Sequence, residues 1–262
     1  ERQMLPVQTK RTLTTPPSCL ASHIMSVSSN QHIVILTGAG ISKESGLDTF
    51  RDTGGIWSQF RIEDVATPEA FSKNPNQVQE FYNARRAQLT TGNVSPNAAH
   101  KALARLEKEW PILGGGSVSI VTQNIDNLHE LGGSKNIIHM HGELLKARCI
   151  SCHEVSPWQD DLGYGEACPN CKLHGKLRPH VVWFGENVPN MDLAMKLIAD
   201  ADVFVIIGTS LQVYPAAGLI HATKRDCLRY IIDPKDVDVS VDVTHIKKIG
   251  SEGIEKLISL IK

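Results

Sequence analysis

The stretch "HIVILTGAGIS", residues 32–42, decides the fold: the apolar run Ile33–Leu36 stops abruptly at Thr37, and Gly38 and Gly40 follow ahead of an expected helix start. A short, continuous apolar run bounded by turn residues marks a strand buried on both faces, as in a parallel sheet. The two glycines suit a tight turn and let the backbone approach a phosphate at a helix N-terminus. A full G-x-G-x-x-G would put a third glycine at position 43, where Lys43 stands. The motif thus departs from the familiar hydride-transfer dinucleotide domain, and a glycine turn before a helix is also compatible with a plain turn.

Three later runs have the same shape: "VSIVTQN" (118–124), "VFVIIGTS" (203–210) and "LRYIID" (228–233). Between them lie helical patterns over 96–109, capped by Ser95 or Asn97, and over 191–201. Strands alternating with helices predict an α/β fold with a parallel sheet covered on both faces, whose ligands gather at the carboxyl ends of the strands. Gln123, Asn124 and Asp126 end one strand, and Gly208, Thr209 and Ser210 end another. An amide and a carboxylate there can hold a carboxamide and ribose hydroxyls, although Asn and Asp serve helix N-caps equally well. Residues 53–94 read as helix and loop without a strand, and residues 146–177 are short, polar and cysteine-bearing. Both are expected to be insertions that together form a smaller lobe.

The chain has 262 residues, with 27 Lys plus Arg against 28 Asp plus Glu, so its charge asks for neither nucleic acid nor an anionic membrane. Its apolar runs, such as "IVIL" and "VFVII", fall far short of the roughly 18 residues a membrane-spanning helix needs. Residues 1–30 are rich in Ser, Thr and Pro and carry Arg2, Lys10 and Arg11. A partial transit peptide, a leader before a start at Met25 and a disordered tail all fit that composition. Four of the six cysteines fall as Cys149-x-x-Cys152 and, after fifteen residues, Cys168-x-x-Cys171, while Cys19 and Cys227 stand alone. Two such knuckles bring four thiolates into a tetrahedron that fills the coordination of Zn²⁺, a structural site with no open position. Unpaired thiols point to a reducing intracellular compartment, either cytoplasm or mitochondrial matrix.

In "HMHGE" (139–143) two histidines one residue apart point to opposite faces of an extended segment, so at most one faces a given pocket, and spacing alone does not choose between His139 and His141. "RPHVVWFGE" (178–186) and "VYPAA" (213–217) read as exposed extended segments, either ordinary edges or rails to which a peptide adds as a strand. In "EFYNARRAQL" (80–89), Tyr82 and Arg85 share one helix face, which is either solvated or reads a negative charge.

Taken in order, GAGIS (38–42), TFR (49–51), TQNIDNLH (122–129), the HG pair at 141–142, the two cysteine knuckles, HVVWFGE (180–186), GTS (208–210) and VYPAA (213–217) resemble the sirtuins, NAD-dependent protein lysine deacylases. The resemblance covers about residues 31–262 and is strongest to the bacterial and mitochondrial class III branch, which removes acidic acyl groups. It implies a Rossmann-like sheet domain (31–52, 95–145 and 178–262), with a helical insertion (53–94) and a zinc module (146–177). NAD would be consumed as co-substrate. Its pyrophosphate would lie along Gly38, Ala39, Gly40, Ile41 and Ser42, its nicotinamide ribose under Phe50, Arg51 and Trp57, and its nicotinamide and ribose against Gln123, Asn124, Ile125 and Asp126. Gly208, Thr209 and Ser210 would contact the phosphate and adenosine side.

The resemblance further implies His141 as the general base, with Asn124 and Asp126 in the catalytic constellation. The acyl oxygen of the substrate lysine would attack the anomeric carbon as nicotinamide leaves, and His141 would then activate a ribose hydroxyl, giving lysine, nicotinamide and O-acyl-ADP-ribose. Tyr82 and Arg85 match the positions that contact a distal succinyl, malonyl or glutaryl carboxylate. Val182, Phe184, Gly185, Glu186, Val213 and Tyr214 would hold an acylated protein or peptide, and a monomer is compatible with this reading. One departure stands out: where the family often places an Asn for the adenosine ribose, this chain has Asp233. Gly250 and Ser251 are the candidates for the adenine edge.

Overall fold

The computed structural model describes residues 30–262. The three readings of the N-terminal extension therefore concern residues almost wholly outside the described part. Nine strands form two sheets. Ile33–Thr37 (β1), Val118–Thr122 (β2), Ile137–His139 (β3), Val203–Ile207 (β7), Leu228–Ile232 (β8) and Thr244–Ile246 (β9) make a six-stranded sheet in the order β3-β2-β1-β7-β8-β9. All its pairings are parallel. Gly142–Cys149 (β4), Val155–Pro157 (β5) and Leu177–Val181 (β6) make an antiparallel sheet in the order β5-β4-β6.

Every residue of β1, β2 and β7 is buried, because helices cover both faces of the large sheet. Ile33 and Ile35 of β1 point to one face, against Leu103 and Leu106 of Ala98–Glu109 and against Leu257 of Gly250–Ile261. Val34 and Leu36 point to the other, against Ile198 of Met191–Asp200 and Leu219 of the 3-10 helix Ala216–Ala222. Each fully buried branched side chain contributes roughly 1.5–3 kcal/mol. The helix over 98–109 begins where it does because the Asn97 side chain accepts hydrogen bonds from the backbone N–H groups of Ala99 and His100, and the His100 ring answers to the Asn97 N–H.

Among the described residues there are five further α-helices: Ile56–Gln59 (α1), Ile62–Val65 (α2), Pro68–Lys73 (α3), Pro75–Thr90 (α4) and Leu128–Gly132 (α6), with Ala98–Glu109 as α5, Met191–Asp200 as α7 and Gly250–Ile261 as α8. Thr67-Pro68 and Asn74-Pro75 place a capping side chain ahead of a proline at the first helical position, which starts α3 and α4 and separates them. Arg86 welds α4 to the small sheet. Its side chain is 1 % exposed, and its Nε donates to the Leu144 carbonyl at 3.2 Å while one terminal nitrogen donates to Asn83 at 2.7 Å. The Tyr82 side of α4 packs with Leu144, Val181 and Trp183 as the core of the smaller lobe.

The structure alters three expectations. The glycine turn leads into a 3-10 helix, Ala39–Ser45, rather than an α-helix; Ile41 dives into the sheet core, and Gly46, at φ 90°, reverses the chain. β3 and β9 were not anticipated, since three residues on a sheet edge are too few to set up a pattern. "RPHVVWFGE" is not an exposed segment in its first half: Arg178 and Val181 of β6 are 4 % exposed and Trp183 only 2 %, because α4 covers that side of the small sheet. The same sheet runs from Gly142 to Val181 and so takes in residues on both sides of 146–177.

Beneath the carboxyl ends of β1 and β2, His100 and His129 lie edge to face with ring centroids 5.0 Å apart, both fully buried. Burial pushes His100 down to about 4 and His129 down to about 3. The unfolded chain takes up these protons near the ordinary value of 6.5, so the stabilisation is complete above that pH and is lost as pH falls towards the folded values. Unfolding free energy is therefore expected to drop between pH 6.5 and 4 by on the order of 3 kcal/mol per histidine. Urea denaturation across that range measures it, and a His100→Asn variant should show a shallower decline.

Candidate active site

The carboxyl ends of β1, β2, β7 and β8 open into a cleft of about 760 Å³, whose far wall is the smaller lobe. That volume lies towards the upper end of the roughly 300–1,000 Å³ usual for ligand sites. Gly38 and Gly40 line it, and both are required by close backbone approach. A Cβ on Gly40 would sit 2.7 Å from the Gly208 Cα, and one on Gly38 would sit 2.6 Å from the Thr209 Cβ. Gly208 itself has φ +62°, and a Cβ on it would collide with the Ile41 backbone nitrogen. The β1 and β7 ends thus meet main chain to main chain at Gly40 and Gly208, leaving only small side chains on the cleft floor. Ala39, Thr209 and Ser210 line the same floor.

Ile41 and Ser42 do not face the cleft. Ile41 is core, and the buried Ser42 hydroxyl donates to Asp126 Oδ2 at 3.0 Å while accepting from Asn124 Nδ2 at 3.1 Å. Asn124 reaches the cleft wall, whereas Asp126 stands behind it, with its other oxygen accepting from the Leu128 N–H at the start of α6. Burial raises the Asp126 carboxyl above its ordinary value. Asp126 thus holds the start of α6 and reaches the cleft only through Ser42 and Asn124. Gln123 and Ile125 line the wall, and the Gln123 amide donates to Thr209 Oγ1 at 3.2 Å, tying the ends of β2 and β7 together.

The structure separates the two histidines. His139 turns away from the cleft to Glu130, 2.6 Å from its Nε2, while His141 lines the cleft. His141 Nδ1 stands 3.0 Å from the Gln123 carbonyl, so Nδ1–H donates there and Nε2 carries its lone pair towards the cleft. Burial lowers the His141 pKa from 6.5, which keeps the ring neutral at pH 7.

Phe50 and Arg51, from the loop before α1, and Trp57, on α1, form a flap along the cleft. Phe50 packs on Trp57 with centroids 5.3 Å apart, and Trp57 stacks on Phe81 of α4 at 6.1 Å. Asp52 anchors the flap to the β8 end through Lys235 at 2.6 Å and to Lys43 at 3.1 Å, and the Lys235 bond above all holds its carboxyl well below the usual range. Asp233 lines the cleft with one carboxylate oxygen accepting the Lys235 N–H at 2.8 Å, and burial raises its pKa. Gly250 also lines the cleft. Ser251 does not: its N–H and hydroxyl both donate to the Glu44 carboxylate, so it supports the edge from behind.

Val182, Phe184, Gly185 and Glu186 form one border of the cleft, and Val213 and Tyr214 the other, with Tyr214 77 % exposed. Tyr82 lines the wall between the flap and Trp183, and burial raises its phenol pKa. Arg85 does not line the cleft. Its guanidinium stacks 3.6 Å from the Phe81 ring centroid and donates to the Phe81 carbonyl at 3.0 Å, and its Nε is buried with no hydrogen-bond partner.

In the smaller lobe the four cysteine sulfurs lie within 4.8 Å of one another, with Cys149–Cys171 at 3.7 Å and Cys152–Cys168 at 3.6 Å. Tetrahedral zinc with Zn–S near 2.3 Å sets sulfurs about 3.8 Å apart, so the cluster fits a closed Zn²⁺ site. Each knuckle closes with an N–H of the residue after the second cysteine, His153 or Lys172, donating to the first cysteine's carbonyl, and both residues adopt φ near +60°. No zinc ligand lines the cleft.

The Sir2 family pattern matches residues 38–215, which span the glycine floor, His141, both cysteine knuckles and both borders of the cleft. The chain belongs to the Sir2 family. An NAD-dependent protein deacylase of Vibrio parahaemolyticus is 54% identical over 234 residues, covering 88% of this chain and 95% of the relative. An NAD-dependent protein deacylase of Leishmania major is 57% identical over 189 residues, 72% of this chain and 77% of the relative. Among solved structures, a Sir2 homologue complexed with NAD superposes with a TM-score of 0.77 at 36% identity, covering 91% of this sirtuin and 92% of that chain. Another Sir2 protein, bound to a deacetylated p53 peptide and 3'-O-acetyl-ADP-ribose, superposes at 0.73 and 29% identity, covering 90% and 95%.

The cleft of this sirtuin fits NAD on its own terms. Its floor is glycine backbone with small side chains, and Lys43, Arg51 and Lys235 set three cations along its rim. Sequence reasoning had no signal for those lysines, because they converge from separate loops. It likewise missed Trp183 and Arg178, whose role depends on the small sheet.

Proposed function

We propose that this sirtuin, an NAD-dependent protein deacylase, prefers acidic acyl groups on lysine, of the succinyl, malonyl and glutaryl type, and that it belongs to the class III branch. When bound, NAD supplies the electrophilic anomeric carbon and the ribose hydroxyls that receive the acyl group; nicotinamide, lysine and O-acyl-ADP-ribose are the products. His141 accepts a proton at Nε2, held ready by the Nδ1–H donation to the Gln123 carbonyl. Asn124 orients polar groups at the wall, kept in place by Ser42 and Asp126. Phe50, Trp57 and Phe184 exclude water around the lysine stem.

The observation that carries the acyl preference is the state of Arg85. No carboxylate of the described residues lies within ion-pair distance of it, its Nε is buried without a partner, and burial pulls its pKa down to about 10. A half-buried guanidinium with a buried, unpartnered Nε and no ion pair among the described residues, one helical turn from a phenol on the cleft wall, suits a carboxylate partner. A distal carboxylate entering past Tyr82 supplies the missing partner after a change of the Arg85 rotamer.

The test compares kcat/KM on succinyl-lysine and acetyl-lysine forms of one peptide. Wild type is expected to favour succinyl, and Arg85→Met to lose roughly 10–100-fold on succinyl through loss of one charged hydrogen-bonded contact, with acetyl turnover nearly unchanged. Acetyl preference in wild type and an indifferent variant would make this a plain deacetylase. Transfer of ADP-ribose to protein without any need for acyl-lysine would make it a mono-ADP-ribosyltransferase.

A further inference from the structure

We infer that the Arg178–Glu186 ion pair is a positioning device for substrate: it locks the border at residues 182–186 so that the Val182 and Phe184 carbonyls are held ready as acceptors for an incoming peptide. The inference rests on that border being a peptide rail, and it does not depend on which acyl group is removed.

Arg178, on β6, is one of few charged side chains driven into the core, at 4 % exposure. Its two terminal nitrogens grip both oxygens of Glu186, at 2.6 and 3.0 Å, in the parallel two-bond geometry that fixes direction as well as distance. Its Nη2 also donates to the Val181 carbonyl at 2.9 Å, and its guanidinium lies 3.2 Å from the Trp183 ring centroid. Glu186 Oε2 in turn accepts the Trp183 N–H at 2.8 Å. One guanidinium and one carboxylate thus define the path of the chain from Val181 to Glu186. Arg148 approaches the same carboxylate at 3.6 Å from the neighbouring strand.

The consequence lies in which backbone groups remain. Val182 N–H donates to the His141 carbonyl, Phe184 N–H to Ala66, Glu186 N–H to Trp183, and Trp183 N–H to the Glu186 side chain. Among the described residues, nothing donates to the carbonyls of Val182 or Phe184. The rail therefore offers acceptors to the N–H groups of an extended peptide, in the manner of strand addition. Glu186, expected from sequence to touch substrate, has both its oxygens engaged inside the protein, and its contribution is to hold the rail. Trp183, pinned by the pair, stands 6.4 Å from the Tyr82 ring and carries the same order to the acyl wall.

The experiment uses the zinc-loaded full chain, in wild type, Glu186→Gln, Arg178→Lys and the double variant, with zinc content and melting temperature recorded for each. Peptide KM is measured at saturating NAD, and NAD KM at saturating peptide, on both acetyl-lysine and succinyl-lysine peptides. Either single variant is expected to raise peptide KM about tenfold or more on both peptides. NAD KM should change less than about twofold and kcat less than about threefold, and the double variant should be no worse than the poorer single one, since both changes break one device. Equal rises in the two KM values, an unchanged peptide KM beside a lowered melting temperature, or multiplicative effects in the double variant would each overturn the inference. Arg178→Lys keeps the buried charge, so it answers the question if Glu186→Gln does not fold. Failure of the acidic-acyl reading shows separately, as acetyl preference in wild type.

Discussion

Replacing His141 by alanine is expected to lower the rate of deacylated peptide formation by about 10²–10⁴-fold, the usual contribution of a positioned proton acceptor. The geometry makes the case specific to this residue. His139, only two positions away, points to Glu130, and the Gln123 carbonyl fixes the tautomer of His141 so that its free lone pair faces the cleft. A pH profile sharpens the prediction. Burial holds the His141 pKa below 6.5, and a base works in its deprotonated form, so kcat/KM should rise with pH along an acid limb centred below 6.5 and be level around neutrality. The His141→Ala variant should lose that limb along with the rate. Full turnover in the variant would remove His141 from the mechanism, and a His139→Ala variant that lost as much would move the base to the other histidine.

Loss of zinc is expected to be the most damaging change to the fold. Zinc binding by small four-ligand sites stabilises by about 10–16 kcal/mol, as much as or more than the roughly 5–15 kcal/mol net stability of a whole domain. Cys149 and Cys168 are fully buried among Leu162, Leu177 and Ala147, so bare thiols there leave a satellite core with little else to hold it. A Cys149→Ser variant should carry less than one zinc per chain, melt at a markedly lower temperature and lose activity through collapse of the β4–β5–β6 sheet that supports the cleft border. Because no cysteine ligand lines the cleft, replacement by cobalt should preserve activity and give the absorption of a tetrahedral four-thiolate site. Retained stability and activity after full zinc removal would show that the cluster is dispensable.

Much of the site was legible because its parts are strand ends. "GAGIS", "TQNID" and "GTS" each follow a buried run, and the topology of a parallel sheet brings such ends to one edge whatever lies between them in sequence. The cysteine spacing was legible because tetrahedral coordination by knuckles demands it. The two histidines were not separable from spacing, since an extended segment turns one to each side and only the neighbouring Gln123 and Glu130 decide which side is the cleft. Ile41, Ser42 and Ser251, read as cofactor contacts, sit one layer behind the wall. A motif assigns a segment to a site, whereas the turn of each residue depends on what it packs against.

The sequence by itself determined the α/β architecture, the strand ends that floor the cleft and the four-cysteine centre, because each follows from local periodicity or from a ligand count. Tertiary structure alone decided that His141 faces the cleft, that the Arg85 Nε is buried without a partner, and that Arg178 and Glu186 pair behind the cleft border. These outcomes depend on desolvation and on partners outside the local pattern, 8 residues away between Arg178 and Glu186 and 18 between His141 and Gln123. Burial and charge pairing are properties of a place in space, and a one-dimensional pattern does not carry them.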